Sequence, residues 1–212
     1  MKKILSLALL TTLAAPVLAQ SSVTIAGVAD AAARSVNNQG LGSIKSLVSG
    51  ANSTSRLIVR GVEDLGGGLS AGFWLEHGIA LDTGLPTGGF WDRRATVSLS
   101  SKGAGELRLG RDFVPSYLSG NRYDPFAYVG AAGSTNAITG SQLGPIRNAF
   151  GTGANTTVRS SDAIQYWLPA GLGGLEGNFM VAAGEGTSNK VLGGRLGYGA
   201  GKLYLSAAHT VT

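Results

Sequence analysis

The sequence predicts an all-β fold, specifically an antiparallel β-barrel that crosses a membrane with its strands. Three observations support this prediction. Short segments alternate between apolar and polar residues, which is typical of strands whose two faces meet different surroundings. Short glycine-rich turns alternate with longer loops, as in up-and-down membrane barrels. The composition combines 34 glycines and 43% hydrophobic residues with only 14% charged residues.

The N-terminus has the pattern of a secretory signal peptide. Lys2 and Lys3 precede an apolar stretch at residues 4–15, and small residues suited to cleavage follow. We therefore expect residues 1–19 to be removed on export, which leaves residues 20–212 as one barrel domain. Loss of the two lysines lowers the formal net charge from +5 to +3. This excess is too small to indicate nucleic-acid binding.

Residue types that commonly build cofactor sites are scarce. Cysteine is absent, so the sequence predicts neither disulfides nor thiolate chemistry. His77 and His209 are the two histidines, which excludes a histidine-rich metal cluster. We predict no metal and no cofactor. After the signal peptide, no run of about 20 predominantly apolar residues indicates a transmembrane helix.

Nine segments are predicted to be strands from their alternation. In one of them, Leu57 and Val59 alternate with Arg56, Ile58 and Arg60. A soluble β-sandwich is the alternative, but it would need two apolar faces buried together, and the second face here carries Asp, Glu, Arg, Ser and Thr. The predicted strands are residues 22–36, 56–62, 69–78, 94–100, 106–110, 162–168, 175–183, 191–198 and 203–211.

Arginines recur on the polar face of these strands. By parity, Arg34, Arg56, Arg60 and Arg108 lie opposite the apolar set, together with the acids Asp30 and Glu76. A wall of arginines facing an aqueous lumen would attract anions. The alternative is a set of solvated charges that acids on neighbouring strands balance.

Two further arginines flank the longest predicted loop, residues 112–161. Arg111 ends the strand before it and Arg159 precedes the strand after it, while Asp124 is one of its few acids. A structureless segment of this length is rare unless it is functional. Folded inward, it would narrow a lumen to a net-positive constriction. The alternative is an extracellular loop without a role in the pore. Residues 37–55 and 79–92 are the other long predicted loops.

The order of several motifs resembles that of Gram-negative general porins, and most of all the betaproteobacterial anion-selective type. The resemblance covers essentially all of the chain after the signal peptide. The motifs are SVTIAGVADAAARSV, SRLIVRGVEDLGGGLSAGFWLEHG, WDRRATVSLS, GELRLGRDF, YDPF and RSSDAIQYWLP.

This resemblance implies trimers of 16-stranded barrels with the third loop folded into the lumen. It implies that Arg56, Arg111 and Arg159 form a basic constriction cluster, that Asp124 is the loop acid facing them, and that Arg60 extends the basic wall. Strict alternation would turn Arg111 outward, so we expect a bulge or the strand end to re-aim it. Sixteen strands need on the order of 300 residues. We therefore expect this chain to hold about nine strands of a longer protein.

The predicted function is passive diffusion of small hydrophilic solutes across the bacterial outer membrane, with a preference for anions. The expected partners are small anionic or neutral solutes, outer-membrane lipid and lipopolysaccharide, and two further copies in a homotrimer. The alternative is a small non-conducting barrel that acts as an anchor or adhesin. An enzyme is not predicted, because neither histidine lies in a nucleophile motif and GxSxG is absent.

Overall fold

A computed structural model describes residues 22–38, 40, 42–130, 133, 158–186 and 190–212. The predicted signal peptide, residues 1–19, lies outside the described residues. Among the residues that are described, no helix is both long and apolar enough to cross a membrane. Ten strands form one sheet, and two further strands form a separate hairpin sheet.

The elements of the described residues are β1 Ser22–Val28, β2 Ala31–Asn38, β3 Gly42–Ser49, β4 Arg56–Gly66, β5 Leu69–Ala80, β6 Leu85–Pro86, β7 Arg94–Ser101, β8 Gly105–Phe113, α1 Pro115–Tyr123, β9 Arg159–Trp167, β10 Leu175–Ala182, β11 Val191–Ala200 and β12 Leu203–Val211. The main path of the large sheet follows chain order, β1-β4-β5-β7-β8-β9-β10-β11-β12, with β6 paired to β5, while β2 pairs with β3. Every pairing is antiparallel. The nine strands of the main path correspond to the nine predicted segments, which confirms the antiparallel β fold.

The two faces of the main sheet differ in chemistry. One face, here called the outer face, exposes a band of large apolar side chains; Val97, for example, is 55% exposed. Soluble monomers rarely expose so large an apolar surface, whereas hydrocarbon chains suit it. The other, inner face carries most of the charged side chains. The outer band comprises Val23, Ile25, Leu57, Val97, Leu99, Leu107, Leu109, Ile164, Tyr166, Phe179, Val181, Leu192, Leu196, Tyr198, Leu203, Leu205 and Val211.

The prediction of one continuous first strand over residues 22–36 is wrong. The chain leaves the main sheet after β1, and β2 pairs with β3 instead. Asp30 lies at this break, where its carboxylate accepts hydrogen bonds from backbone N–H groups of the segment after β3. Much of the predicted loop at residues 37–55 is therefore strand.

The segment after β8 is also more ordered than predicted. It continues from Phe113 into α1, which has Pro115 in its first turn, where proline is favoured because its missing N–H would be unpaired anyway. The prediction of a structureless loop over residues 112–161 is wrong in this part; residues 131–132 and 134–157 lie outside the described residues.

Helix α1 packs against the inner face of β10, β11 and β12. The contact covers a small cluster of buried apolar residues that includes Val114, Met180 and Val191, with Tyr117 packed beside it. Gly193 allows this approach, because a Cβ there would press on the Pro115 ring. The helix therefore lies across the inner face of these three strands.

Candidate functional site

Glu76 connects three side chains on the inner face. It lies near the end of β5 and is 7% exposed. Its Oε1 is 2.6 Å from Nε of Arg93 and 3.5 Å from Nε of Arg56. Its Oε2 accepts a hydrogen bond of 3.2 Å from Nε1 of Trp74. One carboxylate therefore holds two guanidinium groups, one from the start of β4 and one from the residue before β7.

Backbone contacts fix both of these arginines. Arg56 begins β4, and its guanidinium also donates to the carbonyl oxygen of Thr54 at 2.8 Å. Arg93 directly precedes β7, and its backbone N–H donates to the carbonyl oxygen of Glu76 at 3.2 Å. The positions are set by the sheet, so the two positive groups are held in place rather than left on mobile side chains.

Arg111 reaches the same region beside an irregularity in the pairing of β8 with β9. The register shifts between Gly110 and Asp112, and the extra residue lies in β9, because Gly110 pairs with Ala163 and Asp112 with Ser160. Nε of Arg111 donates to the carbonyl oxygen of Asp92 at 2.7 Å, and NH1 donates to Oγ of Ser161 at 3.0 Å. Since Asp92 precedes Arg93, these contacts place Arg111 beside the arginines at Glu76.

Arg159 completes the group from the first position of β9. Its guanidinium carbon lies 4.3 Å above the ring of Phe113, which stacks on Tyr117 at 4.9 Å. It is close enough to Arg93 and Arg111 to interact electrostatically with both. Its Nε is buried and has no hydrogen-bond partner in the part of the chain that the structure describes. We call Arg56, Arg93, Arg111 and Arg159 the basic cluster.

Tyr117 does not offset these charges. Burial raises the pKa of its hydroxyl above the ordinary value, against the opposing effect of Arg159 and Arg93. The phenol is therefore neutral at physiological pH. Glu76 pairs with two of the four guanidiniums, so the basic cluster together with Glu76 is net positive.

A second group of charges lies further along the sheet, toward the short turns. Arg108 is paired with Glu106 at 3.0 Å and with Asp112 at 2.7 Å, and Arg94 lies 3.4 Å from Asp112. Arg60 differs from both, because it forms no ion pair with any carboxylate that the structure describes. Here the charges are largely balanced, except at Arg60.

Three of the remaining predicted residues lie elsewhere. Asp124 caps the C-terminal end of α1 and accepts a hydrogen bond of 2.7 Å from the N–H of Phe126. Arg34 lies on β2, so it is not on the sheet that carries the basic cluster. Asp30 binds backbone at the break after β1. The placement of Asp30 and Arg34 on the polar face of a long first strand is therefore wrong, since that strand ends at Val28.

Arg93 is the member of the basic cluster that the sequence analysis missed. The alternation was counted from Arg94, and residues 79–92 were assigned to a loop, so Arg93 fell between two segments. A signal was present in the pair of adjacent arginines at the start of a strand. Parity favoured Arg94 as the inner residue, but Arg93 precedes the strand, so strict alternation does not apply to it and both side chains reach inner-face groups.

Side chains on β10 and β12 hold α1 in place. Ser119 and Tyr123 both hydrogen bond to the hydroxyl of Ser206, at 2.7 and 3.1 Å. Arg122 lies 3.6 Å above the ring of Tyr204 and 3.6 Å from Oε1 of Glu176. These contacts fix the helix on the inner face, across the sheet from the strand ends that carry Arg56 and Arg93.

The chain is similar to known outer-membrane proteins over most of its length. The sequence model of the Gram-negative porin family matches residues 6–212. Outer membrane porin protein 32 of Delftia acidovorans is 40% identical over 218 residues, which cover 97% of this chain and 58% of that protein. An outer membrane porin protein of Bordetella pertussis is 31% identical over 126 residues, or 58% of this chain and 29% of that protein.

Solved structures give the same result for the fold. The anion-selective porin from Comamonas acidovorans matches with a TM-score of 0.78 and 36% identity, over 90% of this chain and 57% of that one. OmpF of Salmonella typhi matches with a TM-score of 0.55 and 14% identity, over 90% and 53%, which supports the fold alone. The chain thus spans a little over half the length of these relatives.

Proposed function

Because this chain belongs to the Gram-negative porin family, we propose that it forms the anion-preferring part of a passive diffusion channel in the bacterial outer membrane. Its solutes are small hydrophilic anions and neutral molecules. The outer apolar band would face lipid and lipopolysaccharide, and the full-length protein would assemble as a homotrimer. Family membership favours a channel over an enzyme.

The observation that carries this proposal is the basic cluster on the inner face. Arg56, Arg93, Arg111 and Arg159 come from four parts of the chain, and Glu76 is the carboxylate between the first two. In confined water, an excess of fixed positive charge attracts anions and repels cations. A similar solved porin is named anion-selective, which agrees with this interpretation.

Helix α1 supports the second part of the proposal, a constriction at the level of this cluster. The helix crosses the inner face and is held there by Ser206, Tyr204 and Glu176. A segment fixed inside the lumen narrows it, so that solutes pass close to the arginines. In this arrangement Asp124, at the end of α1, would supply the acid of the constriction.

Reversal potentials across planar bilayers under a salt gradient test the proposal. We expect the wild type to favour anions. The triple variant Arg56→Gln, Arg93→Gln, Arg159→Gln should lower the anion-to-cation permeability ratio at least about fivefold, since each unscreened charge at about 4 Å in water contributes about 1 kcal/mol and three are removed. Arg34→Gln removes the same charge from the separate hairpin and should leave the ratio unchanged.

Two results would contradict the proposal. An unchanged ratio in the triple variant would show that the basic cluster does not set selectivity. Inserted protein with no conductance would favour the non-conducting barrel instead.

A further inference from the structure

We propose that Arg60 forms a second anion site, separate from the basic cluster, that takes small carboxylates. This inference rests on the proposed function, because it assumes that the inner face lines an aqueous lumen. Arg60 lies four residues after Arg56 on β4, on the same face. At about 3.3 Å per residue it is about 13 Å further toward the short turns. An anion that leaves the basic cluster in that direction would meet Arg60 next.

The indole of Trp74 orients two guanidiniums, of which only one is neutralised by an acid. Arg60 and Arg94 lie 5.1 and 4.7 Å from its centroid. Arg94 is 3.4 Å from the Asp112 carboxylate. Arg60 forms no ion pair with a carboxylate of any residue that the structure describes, and the ring positions its charge without cancelling it. Its N–H groups therefore remain available to an anion.

Trp74 is itself held by a hydrogen bond. Its Nε1 donates to Oε2 of Glu76 at 3.2 Å, so the ring cannot turn freely away from Arg60. An arginine that rests on a fixed ring loses less side-chain freedom when it binds a ligand. The guanidinium of Arg60 on the Trp74 ring is thus partly positioned before an anion binds.

Several hydroxyl-bearing residues line the depression beside Arg60, together with the charged residues Arg94, Glu106 and Arg108. Thr24 pairs directly with it across β1 and β4, which brings the two Cβ atoms to about 5 Å. Arg60 and Thr24 border a depression of about 410 Å³ that is large enough for a small organic acid. Its other hydroxyl-bearing residues are Ser22, Thr96, Ser98 and Ser100.

This set of groups favours a carboxylate over a spherical halide. The guanidinium fork forms two parallel hydrogen bonds with a carboxylate, and a halide cannot accept both in that geometry. Neighbouring hydroxyls can donate to the remaining lone pairs. The depression is open to water, so binding is weak, as passage through a channel requires.

Quenching of Trp74 fluorescence measures anions at this site directly. The background variant Trp91→Phe, Trp167→Phe leaves Trp74 as the one tryptophan of the chain's three. The folded protein in detergent is titrated with iodide, and with acrylamide as a neutral quencher, at constant ionic strength. We expect Arg60→Gln to lower the iodide quenching constant about two- to fivefold and to leave the acrylamide constant unchanged.

Replacing chloride with acetate tests the preference for carboxylates. Acetate should lower iodide quenching about twofold more than an equal concentration of chloride does, and Arg60→Gln should abolish this difference. Arg60→Lys keeps the charge but loses the fork, so it should retain iodide quenching and lose the acetate preference. Arg34→Gln, the matched control on the other sheet, should behave as the background variant does.

Two outcomes would overturn the inference. One is an iodide constant that Arg60→Gln leaves unchanged, and the other is an acetate effect no larger than that of chloride. The measurement needs folded protein but no conductance. The quenching experiment therefore tests the Arg60 site alone. The reversal potentials test the channel proposal separately.

Discussion

Glu76 shows how a single carboxylate can organise positive charge without cancelling it. Its two oxygens contact Arg56, Arg93 and the indole of Trp74, so all three side chains are held on the inner face. A buried carboxylate needs such partners, because an unpaired buried charge is strongly destabilising. One negative charge shared by two arginines leaves an excess of positive charge on the inner face.

Asp30 organises the break between β1 and β2 by a different means. Backbone N–H groups of Ser53 and Asn52 donate to its carboxylate at 2.7 and 2.8 Å. These hydrogen bonds, with that of Ser53 the strongest, hold the pKa of Asp30 below its ordinary value of 3.8. The carboxylate thus stabilises the connection between the hairpin and the main sheet while it is ionised.

We therefore predict that the segment around Asn52 and Ser53 loosens in acid. A lowered pKa means that the stabilisation is complete above about pH 4 and is lost as the pH falls through the folded-state pKa of Asp30. Hydrogen exchange at the two amides, corrected for intrinsic rates, should show protection that drops below pH 4. In Asp30→Asn the protection should be weaker at neutral pH and independent of pH; an unchanged acid profile in this variant would assign the effect to another group.

At the scale of elements, the backbone of β8 next to Arg111 requires a glycine. Gly110 has a φ of 119°, a backbone conformation that residues with a Cβ rarely adopt. A Cβ at this position would also press on the carbonyl oxygen of Ala95 in β7. Glycine is thus required here both for its conformation and for the close approach of the neighbouring strand.

We predict that Gly110→Ala destabilises the fold and displaces Arg111. Backbone strain of this kind costs about 1–3 kcal/mol, to which the clash with Ala95 adds. The free energy of unfolding in detergent and the anion-to-cation permeability ratio should both fall. Gly103→Ala is the matched control, because a Cβ there meets nothing within 4 Å. Equal stability of the two variants would show that position 110 does not require glycine.

The helix α1 depends on its tertiary contacts more than on its sequence. Its nine residues, PSYLSGNRY, include a glycine and mostly polar side chains, and so have no clear amphipathic period. An isolated helix of this length is marginal in water. The contacts of Ser119, Arg122 and Tyr123 with β10 and β12 supply the stabilisation, and local pattern alone predicted a loop there.

For the whole molecule, the difference between the two faces is the dominant property. Successive residues of a strand point to opposite faces, so Val97 belongs to the outer band and Ser98 to the inner face. Under the proposed function, the outer band would contact hydrocarbon while the inner face stays hydrated. The same substitution should therefore destabilise the protein at an outer position and be tolerated at the neighbouring inner position.

We predict that Val97→Lys impairs folding into lipid vesicles and that Ser98→Lys does not. A lysine on the lipid face costs about 2–4 kcal/mol near the bilayer midplane, whereas one in a hydrated lumen costs little. Folding yield in vesicles and the free energy of unfolding measure the difference. Similar yields for the two variants would show that the outer band does not face hydrocarbon.

The alternation of residues determined most of this fold by itself. Period two assigned nine strands, their two faces and the inner position of Arg56, Arg60, Glu76 and Arg108, because the pleat of a strand is a local property. The glycine-rich turns then indicated which strands are neighbours. These features need no knowledge of distant parts of the chain.

The tertiary structure alone decided how these parts meet. The inclusion of Arg93 in the basic cluster, the position of Arg111 beside the bulge, the break at Asp30 and the docking of α1 all depend on groups far away in sequence. Backbone hydrogen bonds between strands and packing across the inner face select these arrangements. These hydrogen bonds and packing contacts produce no periodic pattern in the amino-acid sequence. The alternation of apolar and polar residues therefore could not predict them.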